Sequence, residues 1–250
     1  MAAAVRKIQR RRHLGLPLLG DRWPEQVILP LGQFKAYAPC MTEEIQWLVP
    51  PASASLFGDE EFTGMAGATV RDFWQFALGD LRMNNARGYL AEFLVGKALA
   101  IDNLKRIEWD SYDLLFGDIT VEIKSSAYLQ SWEQKKPSAL SFSGLQGTRY
   151  HPRAPGDGMD PLGRRFNAMV YVFCAHTVTE HAMYDQLNVS QWEFHVVPRS
   201  VLAATGLKSL GIAKVRELSG GPTPWIDLAK SVTATAADQR RDDDPPWWKS

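Results

Sequence analysis

The chain has 250 residues, of which 45% are hydrophobic, and its 28 basic and 28 acidic residues give a formal net charge of zero. This composition supports a buried core, and the neutral balance excludes a global field that would steer the whole protein to a polyanion. The two cysteines exclude a disulfide framework, with Cys174 expected as a buried, reduced thiol, and no apolar run reaches the ~18–20 residues of a membrane span.

Basic residues cluster near the start of the chain, in the sequence RKIQRRRH from Arg6 to His13. We weigh two interpretations equally: a flexible arm of residues 1–20 that binds nucleic acid, and a solvated, disordered terminus. The apolar stretch that follows is interrupted by glycine and proline and is not typical of a signal peptide, so we expect a cytoplasmic protein. Residues 21–58 are rich in proline, and we expect them to pack on the core within a single domain of residues 21–237.

Two helices are predicted before the centre of the chain. Thr69, with Asp72 three residues later, resembles a capping box, and apolar residues then recur at helical spacing as far as Leu81. The pair Asn84-Asn85 ends this helix and is suited to cap the next one. We expect that second helix over residues 86–101.

The sequence WDSYDLLFGDITVEIKSS predicts a β-hairpin. Two apolar-rich runs are separated by Gly117-Asp118, and glycine in the first position of a two-residue connection fits a type II′ turn. That turn fixes the register and places Leu114 opposite Val121 on an apolar face. On the other face the same register places Asp113 opposite Glu122.

This opposition of Asp113 and Glu122 is the chemically informative feature of the hairpin. Directly opposed residues have Cβ atoms roughly 4.5–5.5 Å apart, where like charges destabilise a sheet unless a proton or cation lies between them. Carboxylate oxygens suit Mg²⁺, which keeps several waters for substrate phosphates. Lys124 lies on the same face as Glu122 and is suited to orient a water or a phosphate oxygen. The plain alternative is the solvent-exposed face of a half-buried hairpin.

The order Asp113, then Glu122-Ile123-Lys124, resembles the signature of the PD-(D/E)XK nuclease superfamily, with Tyr112 in the place of its proline. The segments WDSYDLLF, VEIKSSAYLQSW, VYVFCAH and LNVSQWEFHVVP resemble, in that order, an uncharacterised bacterial family of restriction-endonuclease-like proteins. The resemblance runs from about Arg87 to Pro198. It implies an α/β fold with a mixed central sheet flanked by helices, whose nuclease core spans about residues 86–198.

The resemblance also implies an activity, which is metal-dependent hydrolysis of phosphodiester bonds in nucleic acid. Mg²⁺ is the expected cofactor, Mn²⁺ is a substitute, and Lys124 is expected to orient or deprotonate the attacking water. A glutamine on the helix that follows the hairpin helps to position such a site, and Gln130 is the candidate. The metal ligands implied by the resemblance are Asp113, Glu122, the carbonyl of Ile123, and Glu92 on the preceding helix.

Partners and biological role are less constrained by the sequence. DNA is the favoured substrate, with RNA left open, and relatives of this fold often form homodimers that cut both strands. Host defence is the expected role and repair is the alternative. A catalytically inactive copy of the fold, which binds nucleic acid or a protein, is a further alternative, although such copies usually lose an acid or the lysine.

A basic region rich in glycine and proline follows the hairpin. Trp132 is expected in the core, with stacking on a base as the alternative. The loop of residues 147–165 is long for a segment without structure of its own, which favours a flap that contacts phosphates over a mobile linker. The residues expected to bind nucleic acid are Lys135, Lys136, Arg149, Arg153, Arg164 and Arg165.

The remaining elements are predicted by apolar runs and alternation. Residues 168–175 predict a buried strand and residues 191–197 a second strand. Between them, His176 is expected on the surface. A last amphipathic helix is expected within residues 222–237, followed by a disordered tail of residues 238–250.

Overall fold

The computed structural model describes residue 48 and residues 54–106, 111–154 and 156–239, and every element below lies in the unit that begins at Ala54. The basic arm, the proline-rich segment as far as residue 53 apart from Leu48, and the tail from residue 240 lie outside these ranges, so the expectations for them stay predictions. Within the described ranges, none of the helices combines the length and the apolar character needed to cross a membrane.

The helices and strands follow one another in a mixed order. They are α1 (Val70–Leu78), α2 (Asn84–Ala98), β1 (Leu114–Phe116), β2 (Ile119–Ala127), β3 (Ser141–Phe142), β4 (Val170–His176), β5 (Trp192–Pro198), α3 (Arg199–Thr205), β6 (Leu210–Gly211), α4 (Ile212–Ser219) and α5 (Leu228–Ala236). Short 3₁₀ turns lie at His181–Met183, Val189–Gln191 and Trp225–Asp227.

Four of the strands form a mixed sheet in the order β1-β2-β4-β5. The β1–β2 and β4–β5 pairs are antiparallel, whereas β2 and β4 run parallel with Val121 opposite Val170. The short strands β3 and β6 form a separate antiparallel pair. The described chain is therefore α/β, with a mixed sheet flanked by helices, as predicted.

Strand β4 is buried on both faces of the sheet. Val170, Val172 and Cys174 pack into one core with α2 and α5, whereas Tyr171 and Phe173 pack into a second core on the other side. A strand covered on both faces reads in sequence as a continuous apolar run, which is why VYVFCA predicted it well. The expectation that Cys174 is a buried, free thiol is confirmed.

The predicted hairpin forms, and its register is confirmed over its paired part. Leu114 lies opposite Val121, and Gly117 has a φ of 62°, as the first position of a type II′ turn requires. The regular pairing of β1 begins only at Leu114. The expected ladder pair of Asp113 with Glu122 is therefore wrong. Instead, one carboxylate oxygen of Asp113 accepts the backbone N–H of Ile123 at 2.6 Å, and the backbone N–H of Asp113 donates to the carbonyl of Val121 at 3.0 Å.

The two predicted helices form with shifted ends. The capping box of Thr69 and Asp72 is confirmed, and α1 then ends at Leu78. Helix α2 begins at Asn84 after Met83, which makes no side-chain capping bond, so the expectation that Asn84-Asn85 caps this helix is wrong. Helix α4 and the β3–β6 pair were not predicted from the sequence, because both are short and carry weak periodicity.

The loop of residues 147–165 is folded, contrary to the expectation of a segment without structure. Gly147 bridges to Arg165, so the two ends of the loop lie side by side. At its base the fully buried carboxylate of Asp160 accepts bonds from Arg149 at 2.8 Å and from Arg165 at 2.7 Å. The positive charges of these two arginines are therefore directed to an internal acid rather than to solvent.

This ion cluster makes a prediction about stability. Asp160→Asn should lower the free energy of unfolding by about 3–5 kcal/mol, because it leaves two largely buried guanidinium groups without their carboxylate. Urea denaturation measures this value. Asp157→Asn is the matched control, since Asp157 is exposed in the same loop and its amide replacement retains the acceptor for Met159 N–H. Equal stability of the two variants would mean that Asp160 does not hold the loop.

Candidate active site at the hairpin

Strand β2 contributes an acid and a cation to the site. Glu122 and Lys124 alternate along β2 with the core residues Val121 and Ile123, so both face away from that core. The ammonium of Lys124 lies 2.5 Å from the carboxylate of Glu122, and their side chains are 23% and 16% exposed. The hairpin therefore holds this ion pair in a place that is largely shielded from water.

Two further acids join the site from neighbouring elements. Asp113 immediately precedes β1 and is fixed by the N–H of Ile123, which is the residue between Glu122 and Lys124. Glu92 lies on α2, which packs against β2 through the shared core. Its carboxylate is 3.0 Å from the guanidinium of Arg106, which follows that helix.

The three acids influence one another electrostatically. Burial is the largest cause that raises the pKa of Glu122 to about 7, and the negative charges of Asp113 and Glu92 raise it further. Burial and the charge of Asp113 likewise raise the pKa of Glu92 to about 7. Burial also raises the pKa of Asp113, although the N–H of Ile123 opposes this effect. Three carboxylates therefore share one poorly hydrated region with Lys124 and Arg106.

The donors in this region suit a hard divalent cation. Carboxylate oxygens, with a backbone carbonyl such as that of Ile123, are the ligands that Mg²⁺ prefers. Each acid is nevertheless engaged: Glu122 by Lys124, Glu92 by Arg106 and Asp113 by a backbone N–H. Over the described ranges no group of three His, Cys, Asp or Glu residues is arranged to hold a metal ion. Metal binding would require these side chains to exchange partners.

Gln130 lies in a bend after β2 rather than on the helix that the resemblance implies. It is 8% exposed, its amide donates to the carbonyl of Ala127 at 2.9 Å, and its carbonyl accepts from Arg87 at 3.2 Å. Its backbone N–H donates to Gln134. Through these contacts Gln130 stabilises the segment that follows β2. Its expected role in positioning the active site stays a prediction.

A polar cavity of about 390 Å³ adjoins the site and shares Lys124 with it. Trp132 lines this cavity and is 58% exposed, so the expectation that it lies in the core is wrong. The reason is local, because the segment after β2 forms bends rather than a helix with a buried face.

The basic residues expected to bind nucleic acid fall into two groups. Arg149 and Arg165 belong to the ion cluster around Asp160, and we correct their assignment to a structural one. The others are exposed: Lys135, Lys136, Arg153 and Arg164. Arg164 also donates to the carbonyl of Gln146 at 2.9 Å. These four keep their expected role as a prediction.

The burial of two polar residues near the site was not predicted from the sequence. Arg87 is 2% exposed in the first turn of α2, where a basic residue usually indicates a surface. His176 was expected on the surface but is fully buried at the end of β4, stacked on Tyr184 with ring centroids 4.3 Å apart. Burial and the positive charge of Arg87 lower the pKa of His176 to about 4. Only its position directly after the buried run VYVFCA could have indicated this burial.

Comparison with known proteins adds no identification. The chain matches no family model, no curated protein and no solved structure. The residues of the site, and the signature that they form, are therefore what indicates a function.

The raised pKa values predict how stability depends on pH. A carboxyl group whose pKa is higher in the folded state holds its proton there over a range in which the unfolded chain has lost it. Stability therefore falls as the pH rises from about 4.5 to about 7. Glu122→Gln removes this contribution. As the pH rises from about 4.5 to about 7, the free energy of unfolding of the variant should therefore gain about 1–3 kcal/mol on that of the parent.

Urea denaturation at a series of pH values, without divalent metal, measures this difference. Glu133→Gln, which replaces an exposed acid, is the control and should run parallel to the parent. If the free energy of unfolding of Glu122→Gln also follows the same pH dependence as that of the parent, Glu122 does not have a raised pKa in the folded protein.

Proposed function

We propose that the protein is a metal-dependent nuclease of restriction-endonuclease-like fold, which hydrolyses phosphodiester bonds in nucleic acid, with DNA as the favoured substrate. The observation that supports this function is the gathering of Glu92, Asp113, Glu122 and Lys124 around one hairpin. Burial raises the pKa of all three acids, and the charge of Asp113 raises the pKa of the other two further, which lowers stability unless a cation binds there.

The strand arrangement supports the finer fold assignment. The two parts of the signature lie on the hairpin of β1 and β2, and β2 has the buried strand β4 as its parallel neighbour. Helix α2, which carries Glu92, packs on the same part of the sheet. The pieces of the sequence that resemble restriction-endonuclease-like proteins thus occupy adjacent places.

The acids provide the oxygen donors for the metal. Asp113 and Glu122 would hold Mg²⁺ or Mn²⁺, with Glu92 and the carbonyl of Ile123 as further ligands. Such an ion lowers the pKa of a water and offsets the negative charge that develops on the reacting phosphate. The N–H of Ile123 fixes one oxygen of Asp113 and so orients the whole carboxylate.

Lys124 supplies the positive group next to these acids. Its ammonium lies beside Glu122, where it would orient the attacking water and the phosphate oxygens. Arg106 offsets the charge of Glu92 and keeps that acid in its place on α2. In-line attack by the water would leave a 5′-phosphate, as the resemblance implies. Action in the cytoplasm, in host defence and as a homodimer belongs to the same proposal.

A catalytically inactive copy that binds nucleic acid is the second candidate. The observation that favours it is that each acid of the site already has a cation or a backbone N–H as partner. This candidate predicts binding without cleavage under any metal condition.

Cleavage assays separate the two candidates. The purified protein is incubated with plasmid, linear duplex and single-stranded substrates in Mg²⁺, Mn²⁺ or EDTA, and cleavage is expected only with metal. Asp113→Ala, Glu122→Ala and Lys124→Ala should each lower the rate by at least the ~10²–10³-fold typical of one preorganised group, since the three act together.

Lys230→Ala, which replaces an exposed lysine of α5, is the control and should retain cleavage. Circular dichroism verifies that each variant is folded. Cleavage that persists in EDTA, or a folded Lys124→Ala variant as fast as the parent, would contradict the proposal.

A further inference from the structure

The polar cavity next to the acid cluster has a distinctive lining. It lies between the first turn of α2, the end of β2 and the segment that leads to β3. Arg87, Lys124 and Trp132 line it together with several serine hydroxyls. Its volume of about 390 Å³ falls within the ~300–1,000 Å³ that is usual for small-molecule sites. Hydrogen-bond donors therefore surround a space of suitable size for a small polar group.

Arg87 is a buried positive charge whose partners are all neutral. Its guanidinium donates to the carbonyl of Arg82 at 3.0 Å, to the side chain of Asn84 at 2.8 Å and to that of Gln130 at 3.2 Å. Its Nε is buried without an acceptor. Among the described residues no carboxylate pairs with it, although buried charges in proteins are normally paired.

The position of Arg87 in α2 increases this excess of positive charge. It lies in the first turn of a 15-residue helix, where the N–H groups carry the positive end of the helix dipole. A cation is unfavourable there, whereas an anion is stabilised. The adjacent Lys124 adds a second cation at the cavity wall. Within the part of the chain that the structure describes, an anion is therefore the kind of partner that Arg87 lacks.

Trp132 gives the cavity an aromatic edge. Trp132 lines the cavity and is 58% exposed, so part of its side chain can contact a planar group that enters there. Aromatic side chains of this kind stack on unpaired bases, whereas the bases of a duplex are already stacked on one another. A nucleotide carries both kinds of group close together, a phosphate that suits the two cations and a base that suits Trp132.

We propose that this cavity binds one nucleotide of an unpaired strand, with its phosphate on Arg87 and Lys124 and its base stacked on Trp132. The inference deepens the proposed function, on which it rests, because it names single-stranded nucleic acid as the substrate class. Lys124 faces both the cavity and Glu122, so the bound nucleotide lies next to the acids.

Binding measured without cleavage tests this inference. Fluorescence anisotropy in EDTA compares an end-labelled single strand with a duplex of the same sequence. The parent should bind the single strand more tightly, and Trp132→Ala should weaken that binding about tenfold, as expected for the loss of one stacked base. Trp132→Phe should retain most of it. Phe76→Ala, which removes the aromatic ring of a residue that is 86% exposed on α1, is the control and should bind as the parent does.

Two further measurements detect the stacking on Trp132 and the phosphate contact of Arg87 separately. The unlabelled strand should quench the tryptophan fluorescence of the parent more than that of Trp132→Phe. Inorganic phosphate should raise the melting temperature of the parent but not that of Arg87→Gln. Phosphate should also displace the labelled strand from the parent, which tests the same contact if Arg87→Gln does not fold.

The outcomes separate this inference from the nuclease proposal. Equal binding by Trp132→Ala and the parent, or equal affinity for duplex and single strand, would overturn the inference even if metal-dependent cleavage is observed. Stabilisation by phosphate without binding of the strand would indicate a site for the free ion and would overturn it as well. Trp132-dependent binding of the single strand in a protein that never cleaves would support the inference and remove the nuclease proposal alone.

Discussion

The buried charged groups on both sides of Lys124 are the constraint on which the site depends. On one side of Lys124 are three acids whose pKa values are raised chiefly by burial. On the other is Arg87, which is buried with no acid beside it among the residues that the structure describes. Both arrangements lower stability in the isolated chain. A phosphate that arrives with a divalent cation would satisfy both, since the cation meets the acids and the phosphate meets the guanidinium.

The fold brings these opposite charges together through two elements. Helix α2 carries both Arg87 and Glu92, five residues apart, and so reaches the cavity and the acid cluster with different faces. Strand β2 carries Glu122 and Lys124 and is held in place by β4, which is buried on both sides. The stability of the apolar cores is thus what permits a charged region of low hydration beside them.

Features set by local chemistry could be predicted from the sequence, whereas features set by tertiary contacts could not. The turn at Gly117-Asp118 and the strand VYVFCA were predicted, because turn conformation and burial on both faces leave clear sequence patterns. The same patterns do not show that the Asp113 carboxylate would accept the N–H of Ile123, or that the regular pairing of β1 would begin only at Leu114. Nor do they show that Asp160 would bind Arg149, or that the buried Arg87 would bind Gln130, since these contacts depend on how separate segments pack.

Binding of a metal ion at the acid cluster is the central claim, and thermal melts with and without Mn²⁺ test it most directly. A ligand that binds only the folded state raises the melting temperature, by an amount that grows with the logarithm of the ratio of its concentration to its Kd. The account predicts a clear rise for the parent protein and little or none for Glu122→Ala. A melting temperature that Mn²⁺ leaves unchanged in both proteins, or raises equally in both, would contradict a metal site formed by Asp113 and Glu122.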